Sequence, residues 1–260
     1  MFRAVMDSTK VFSTHKKSEL FMKSLYLLVD LFTLIIPLLF SFHPKIKFYK
    51  SWRYFLPANI IVAIIFITWD AYFTYKGIWS FNSDYITGIY FLNQPIEEIL
   101  FFICIPFSCV FTYYCLNKFY DLSWKPKPET TICIIFSSAL LLIGLIFWNK
   151  HYTSFTLISL GLVSLALKFI AKVKWFGKVI SVYAILIIPF LLVNGILTGS
   201  GIKDAVVQYN NAEIIGLRLR TIPIEDVFYG FELFLLNVFF YKTFETKFKR
   251  NRLVNGNVVL

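Results

Sequence analysis

Residues 85–98, YITGIYFLNQPIEE, and residues 213–226, EIIGLRLRTIPIED, decide the reading of this chain, because they superpose at a constant offset of 128. Gly88 falls on Gly216, Pro95 on Pro223 and Glu97 on Glu225. The apolar segments that precede them also correspond: one ends Thr68-Trp69-Asp70, the other Leu192-Val193-Asn194. Each is followed by a loop, 75–94 or 199–221, that leads into Pro-Ile-acid-acid. Proline is favoured where a helix begins, since its missing N–H needs no partner there, and Asn93-Gln94 and Thr221-Ile222 are the capping candidates before it. Both acids of each pair then fall in a first helical turn.

Working outward, the composition is that of a membrane protein: 58% hydrophobic, 20% aromatic, mean hydropathy +0.67. A helix rises about 1.5 Å per residue and must cross about 30 Å of hydrocarbon. Segments long enough to do so are 24–42, 54–74, 95–116, 131–148, 152–171, 179–198 and 222–241, with 131–148 and 152–171 readable also as one re-entrant hairpin. The expected fold is therefore an all-α integral membrane protein of about seven transmembrane helices. A polar tail occupies 1–23, a first three-span repeat 24–117, a connector with one span 118–151, a second three-span repeat 152–242, and a basic tail 243–260. An offset of four spans gives both repeats the same orientation, a parallel duplication rather than the inverted repeats common in secondary transporters.

The first 23 residues are polar, carry Lys10, Lys16, Lys17 and Lys23, and lead into no cleavage pattern, so the first span is expected to be retained. Lys and Arg number 10 on the N-terminal side and 16 on the other. That bias predicts a multi-pass cell-membrane protein with its N-terminus extracytoplasmic and its C-terminus cytoplasmic, although the basic N-terminal tail pulls the other way. The net charge of +11 calls for no nucleic acid, because Lys45, Lys47, Lys50, Lys247, Lys249 and Arg250 border spans, where anionic lipid headgroups attract them.

Seven of the fifteen acidic residues lie within or at the edges of spans: Asp30, Asp70, Glu97, Glu98, Glu225, Asp226 and Glu232. The basic residue inside those spans, Lys168, is close enough to an end to snorkel, so the acids are expected to lack cationic partners. An unpaired carboxylate at the bilayer centre costs about 2.5 kcal/mol or more, so these groups must face a polar interior, lie near the interface or carry a proton. Protonated carboxyls held away from water suit a general acid acting on a weakly basic substrate such as a carbon–carbon double bond. The repeated pair Glu97 and Glu225 leads the list. Glu98 and Asp226 could instead complement a helix dipole, and Asp30 could be a packing hydrogen-bond partner. Glu225 and Glu232, seven apart, share a helix face, but the first-half counterpart of Glu232 is Cys104 and the second-half counterpart of Asp70 is Asn194. Such inequality favours one composite site between the halves.

Other chemistries find little support. Cys104, Cys109, Cys115 and Cys133 lack a C-x-x-C spacing and read as buried small side chains; His15, His43 and His151 have no ligand spacing, so no metal is expected. Gly199-Ser200-Gly201 is no dinucleotide fingerprint, and no cofactor is expected. Lys242 stands only at the edge of the last span, which disfavours a retinal Schiff base.

The segments Gly77-Ile78-Trp79-Ser80-Phe81-Asn82, Gly88-Ile89-Tyr90, Pro95-Ile96-Glu97-Glu98-Ile99-Leu100-Phe101-Phe102 and Pro223-Ile224-Glu225-Asp226-Val227-Phe228-Tyr229-Gly230-Phe231 resemble the membrane lycopene β-cyclase family. The likeness runs over roughly residues 25–245. It implies a fused two-domain cyclase that protonates the terminal double bond of a ψ end group, closes a six-membered ring and loses a proton to leave a β-ionone ring, with no net oxidation. It implies Glu97, Glu98, Glu225 and Asp226 as acid and base, Asp70 and Glu232 in support, and donor and acceptor stay unassigned among them. Lycopene or a related hydrophobic polyene, membrane lipids and carotenoid-pathway enzymes are the implied partners. The second loop reads Asn210-Asn211-Ala212 rather than Trp-Ser-Phe-Asn, a departure that points to a single competent centre. Two rival readings use the same buried acids: a proton-coupled carrier, and a carotenoid-binding membrane protein without catalysis.

Overall fold

The computed structural model describes residues 21–256, with side chains through residue 251; the expected N-terminal tail lies, up to residue 20, outside the described residues. Among the described residues seven α-helices follow one another: α1 (Leu25–Phe40), α2 (Trp52–Tyr75), α3 (Ile96–Phe119), α4 (Pro126–Ile146), α5 (His151–Leu165, prolonged by a π-helical turn Ala166–Ile170), α6 (Phe176–Leu197) and α7 (Ile224–Gly256). Among the described residues six helices are long and apolar enough to cross a membrane, while α1 is apolar but has only 16 residues, about 24 Å of rise. In hydrocarbon a backbone polar group has no water to bond, which is why these apolar stretches are helical. Their outward residues remain apolar and exposed, Phe32, Ile64, Ile135 and Ile188 among them.

The structure corrects the expected all-α fold in one respect: among the described residues, six strands of two or three residues form three two-stranded ladders in the loops after α2 and α6. The stretch 131–171 forms two separate long helices, α4 and α5, as the count of two spans there expects, rather than the alternative re-entrant hairpin. The residues assigned to a basic C-terminal tail from 243 are helical and continue α7 to Gly256.

Helix α1 packs on α3, α2 on α3 and α7, and α5 on α4 and α7. The α4–α5 pair is close because Gly144 and Gly161 lie at its crossing; a Cβ on Gly144 would meet Ile158 Cγ1 at 2.7 Å. Between α2, α3 and α7, the buried Asn59 side chain donates to Phe102 O at 3.0 Å and to Asn237 Oδ1 at 3.1 Å. Asn59→Leu leaves both acceptors short of a donor where water cannot replace it. A loss of about 1–3 kcal/mol is expected, read as a lower thermal midpoint in detergent.

Positions 128 apart make the same bonds. Strands β2 (Tyr90–Phe91) and β3 (Gln94–Pro95) form a hairpin, as do β5 (Arg218–Leu219) and β6 (Ile222–Pro223). Leu92 (φ 58°) and Arg220 (φ 63°) take the left-handed conformation that a two-residue hairpin turn demands. Ile96 N–H donates to Ile89 O, and Ile224 N–H to Leu217 O. The residues expected to cap α3 do not: Asn93 Nδ2 donates to Ala71 O and Gln94 Nε2 to Thr74 Oγ1, tying the hairpin to the end of α2. Pro95 itself precedes the first helical residue rather than occupying it.

The two loops also join each other. Strands β1 (Trp79–Phe81) and β4 (Val207–Tyr209) are antiparallel, with Ser80 opposite Gln208 and Trp79 opposite Tyr209. Asn82 N–H donates to Val206 O and Asn210 N–H to Ile78 O, both at 2.8 Å, which continues the ladder symmetrically at its two ends. This register makes Val207-Gln208-Tyr209-Asn210 the counterpart of Trp79-Ser80-Phe81-Asn82, correcting the assignment of 210–212 to that role.

Candidate active site

Successive residues of a helix point about 100° apart, so the two acids of each first turn serve different neighbours. Glu97 and Glu225 turn toward their own loops. Glu97 Oε1 accepts the backbone N–H of Thr87, and Glu225 Oε1 that of Ile215, each at 2.7 Å; Thr153 Oγ1 also donates to Glu225 Oε1 at 2.5 Å. Both residues are almost completely buried, and each Oε2 has no hydrogen-bond partner among the described residues. Their visible work is to hold the loop against the start of the helix.

Glu98 and Asp226 instead line a cavity of about 350 Å³ between α1, α3, α6 and α7, roofed by the β1–β4 ladder. Tyr26 Oη donates to Glu98 Oε2 at 2.6 Å. Its counterpart, Tyr152 Oη, donates to Asp226 Oδ1 at 2.7 Å, while Asp226 Oδ2 accepts Tyr209 Oη at 2.9 Å and Asn194 Nδ2 at 3.0 Å. The pairing has a geometric cause, because the entries of α1 and α5 are fixed alike: Tyr26 N–H donates to Tyr85 O and Tyr152 N–H to Glu213 O. Burial, and then the neighbouring charge of Asp226, pushes the Tyr209 phenol well above its ordinary pKa, so it stays a donor at physiological pH.

The same cavity contains Asp70, whose Oδ2 is buried without a hydrogen-bond partner among the described residues. Trp79, Tyr152, Tyr209 and Tyr229 supply its aromatic wall; Tyr152 and Tyr209 stack with centroids 5.8 Å apart. Beyond this polar end the cavity continues as an apolar arm past Phe32, Ile36, Ile105, Leu186 and Phe190. The arrangement can present a carboxyl to an apolar guest, accept a proton on a second carboxyl, and surround positive charge with π faces.

The remaining acids lie elsewhere. Glu232 is buried against α5, where Ser159 Oγ donates to its Oε2 at 2.8 Å; Glu225, bonded to Thr153, faces the same helix. Asp30 is fully buried with neither carboxyl oxygen hydrogen-bonded among the described residues. Among the described residues no group of three His, Cys, Asp or Glu is placed to hold a metal, and all four cysteines are free; Cys109 borders the cavity arm.

Lys168 does not snorkel. It pairs with Glu129, both side chains are almost buried, and Glu129 Oε2 also accepts the backbone N–H of Gly177 at 3.2 Å. The sequence reading began the fourth span at 131, which left Glu129 in a loop; α4 begins at Pro126 and brings it into the first turn.

The tyrosines went unread in the sequence. Tyr26 and Tyr152 stand at matching positions near the starts of the first and fifth apolar segments, a signal available once the repeat is extended backward. Tyr209 gives no such signal, since only the β1–β4 pairing carries it over the cavity.

The family model described as Lycopene cyclase matches residues 23–116 and 149–244, well over half of the chain and in two stretches that contain the two acid pairs. No curated protein and no solved structure matches.

Proposed function

Because this chain belongs to the lycopene cyclase family, we propose that it closes the ψ end groups of lycopene into β-ionone rings by acid–base chemistry within the membrane, without cofactor or net redox change. The observation that carries this reading is the placement of Glu98 and Asp226 in one cavity that is carboxylic at one end and apolar at the other. Glu98, with a single phenolic donor, is assigned as the acid. Its proton adds to the terminal double bond of the end group, the neighbouring double bond attacks the resulting cation, and a six-membered ring forms. Asp226, whose oxygens receive three donated hydrogen bonds that suit a carboxylate, accepts the proton lost when the ring double bond is made. One proton enters and one leaves, so the product is an isomer.

Trp79 and Tyr229 lie where their faces can stabilise the intermediate cation. Asp70 supports Glu98 from α2, whereas Glu97, Glu225 and Glu232 act through structure, the first two by fixing the loops that carry Trp79 and Tyr209. The same reading makes the chain two parallel three-span repeats joined by α4, with α1 as a seventh, short span. It places the acid end outside and the lysine-rich end, with Lys47, Lys125 and Lys174, in the cytoplasm. Lipids, and enzymes that make or modify the carotenoid, are its natural neighbours.

The test is expression in a lycopene-accumulating bacterium followed by chromatographic separation of the pigments. Appearance of γ- or β-carotene is the expected result. Unchanged lycopene beside verified membrane expression and an active control cyclase would refute the assignment, and proton flux in liposomes would then favour a carrier.

A further inference from the structure

The acid chamber sits at the junction of two similar halves, yet among the described residues the exposed side chains that line it lie on one side. That side lies between α1 and α6, which both pack on α3. Phe32 and Ile36 line the arm while being 69% and 64% exposed on the outer, lipid-facing surface, and Pro189 on α6 is exposed as well. The arm is therefore open to the bilayer. The cavity volume of about 350 Å³ is at the low end of the roughly 300–1,000 Å³ found for small-ligand sites. It accommodates an end group and not a whole polyene with two ends.

The other side is built from counterpart residues with different side chains. Matching α2 to α6 through Asp70 and Asn194 puts Trp69 opposite Val193 and Phe73 opposite Leu197; matching α1 to α5 through Tyr26 and Tyr152 puts Phe155 opposite Val29. Val193 and Leu197 border the open arm. Trp69 and Phe155 pack ring to ring at 4.7 Å, Phe73 and Phe155 at 5.5 Å, and Trp69 lies 4.9 Å from Tyr229, which fills the related space between α2 and α5.

We infer that the polyene enters through the lateral opening between α1 and α6, its end group in the chamber and its remaining chain against Phe32, Ile36 and Pro189, while Trp69 and Phe155 close the twin opening. Each docking event thus presents one end, and a second ring requires release and re-entry with the chain reversed. Val193 and Ile36, on the two walls, set the width of the entrance. This inference rests on the cyclase reading for its ligand, but its test separates the two.

The variants are Val193→Trp and Ile36→Trp, with Leu192→Trp as a control of equal bulk one residue away on the lipid-facing surface of α6. Each protein, confirmed by membrane yield and gel-filtration profile, is reconstituted in lipid nanodiscs with lycopene, and both retained pigment and cyclic product are measured. Both wall variants should retain and convert at least about tenfold less than wild type, because a few ångströms of obstruction keep the end group from the acids; Leu192→Trp should match wild type. Wild-type retention or conversion in both wall variants, or equal losses in Val193→Trp and Leu192→Trp, would overturn the entrance. Lycopene retained by wild type and displaced in the wall variants, but never cyclised, would uphold the entrance and refute the cyclase.

Discussion

Glu98→Gln should yield a membrane-integrated protein that still retains lycopene and forms almost no cyclic product, a fall of about 10²–10⁴-fold. Glutamine preserves the shape of the side chain and an oxygen to accept the 2.6 Å bond from Tyr26, but it has no carboxylic proton to give to a double bond. The informative contrast is Glu97→Gln, one residue away. Its amide oxygen can still accept the Thr87 N–H, so the loop should stay docked and turnover should fall far less. Pigment separation from cells expressing equal amounts of the two variants gives the comparison directly. Full activity in Glu98→Gln together with loss in Glu97→Gln would exchange the roles assigned to the two acids.

Glu129→Leu should be the most destabilising single change in the bundle. Lys168 is nearly buried, its partner is Glu129, and removing one member of a buried ion pair typically costs about 3–5 kcal/mol because the other charge is left in a poor solvent. The effect should exceed that of losing the neutral Asn59 bonds. A double change, Glu129→Leu with Lys168→Met, should recover most of the loss, since two apolar residues of similar size ask nothing of the surroundings. Thermal denaturation in detergent reads both. If the single variant melts with the wild type, Lys168 reaches the interface instead of its partner.

The helices were legible because hydrocarbon leaves the backbone no alternative, and the repeat was legible because Gly88, Pro95 and Glu97 recur at one spacing with Gly216, Pro223 and Glu225. What the repeat could not tell was direction. Glu97 and Glu225 recur without change because both perform the same local task, accepting an N–H from ten residues back, whereas Glu98 and Asp226 differ in length because they meet different partners around one cavity. On the proposed reading, strict recurrence pointed toward the residues that build the frame. The ion pair was missed for a simpler reason. Apolar windows begin after the charged first turn of a helix, so Glu129 fell outside the segment that starts at 131, and Lys168 was left without its partner. The strands escaped notice because two- and three-residue ladders carry no periodicity to read.

The ladder between β1 and β4 has a temporal consequence. The roof of the chamber is made by residues that are synthesised far apart, with the whole connector and three further membrane helices between them. Pairing at such separation is slow relative to local helix formation, since a long loop must close before any contact repays it. During synthesis the first acid pair consequently enters the membrane uncovered, and Glu98 meets Tyr26 long before Tyr209, Asn194 and Asp226 exist. A nascent chain halted before residue 207 holds half a chamber with no lid, so Glu98 and Asp226, the proposed acid and base, become neighbours only in the last steps of folding.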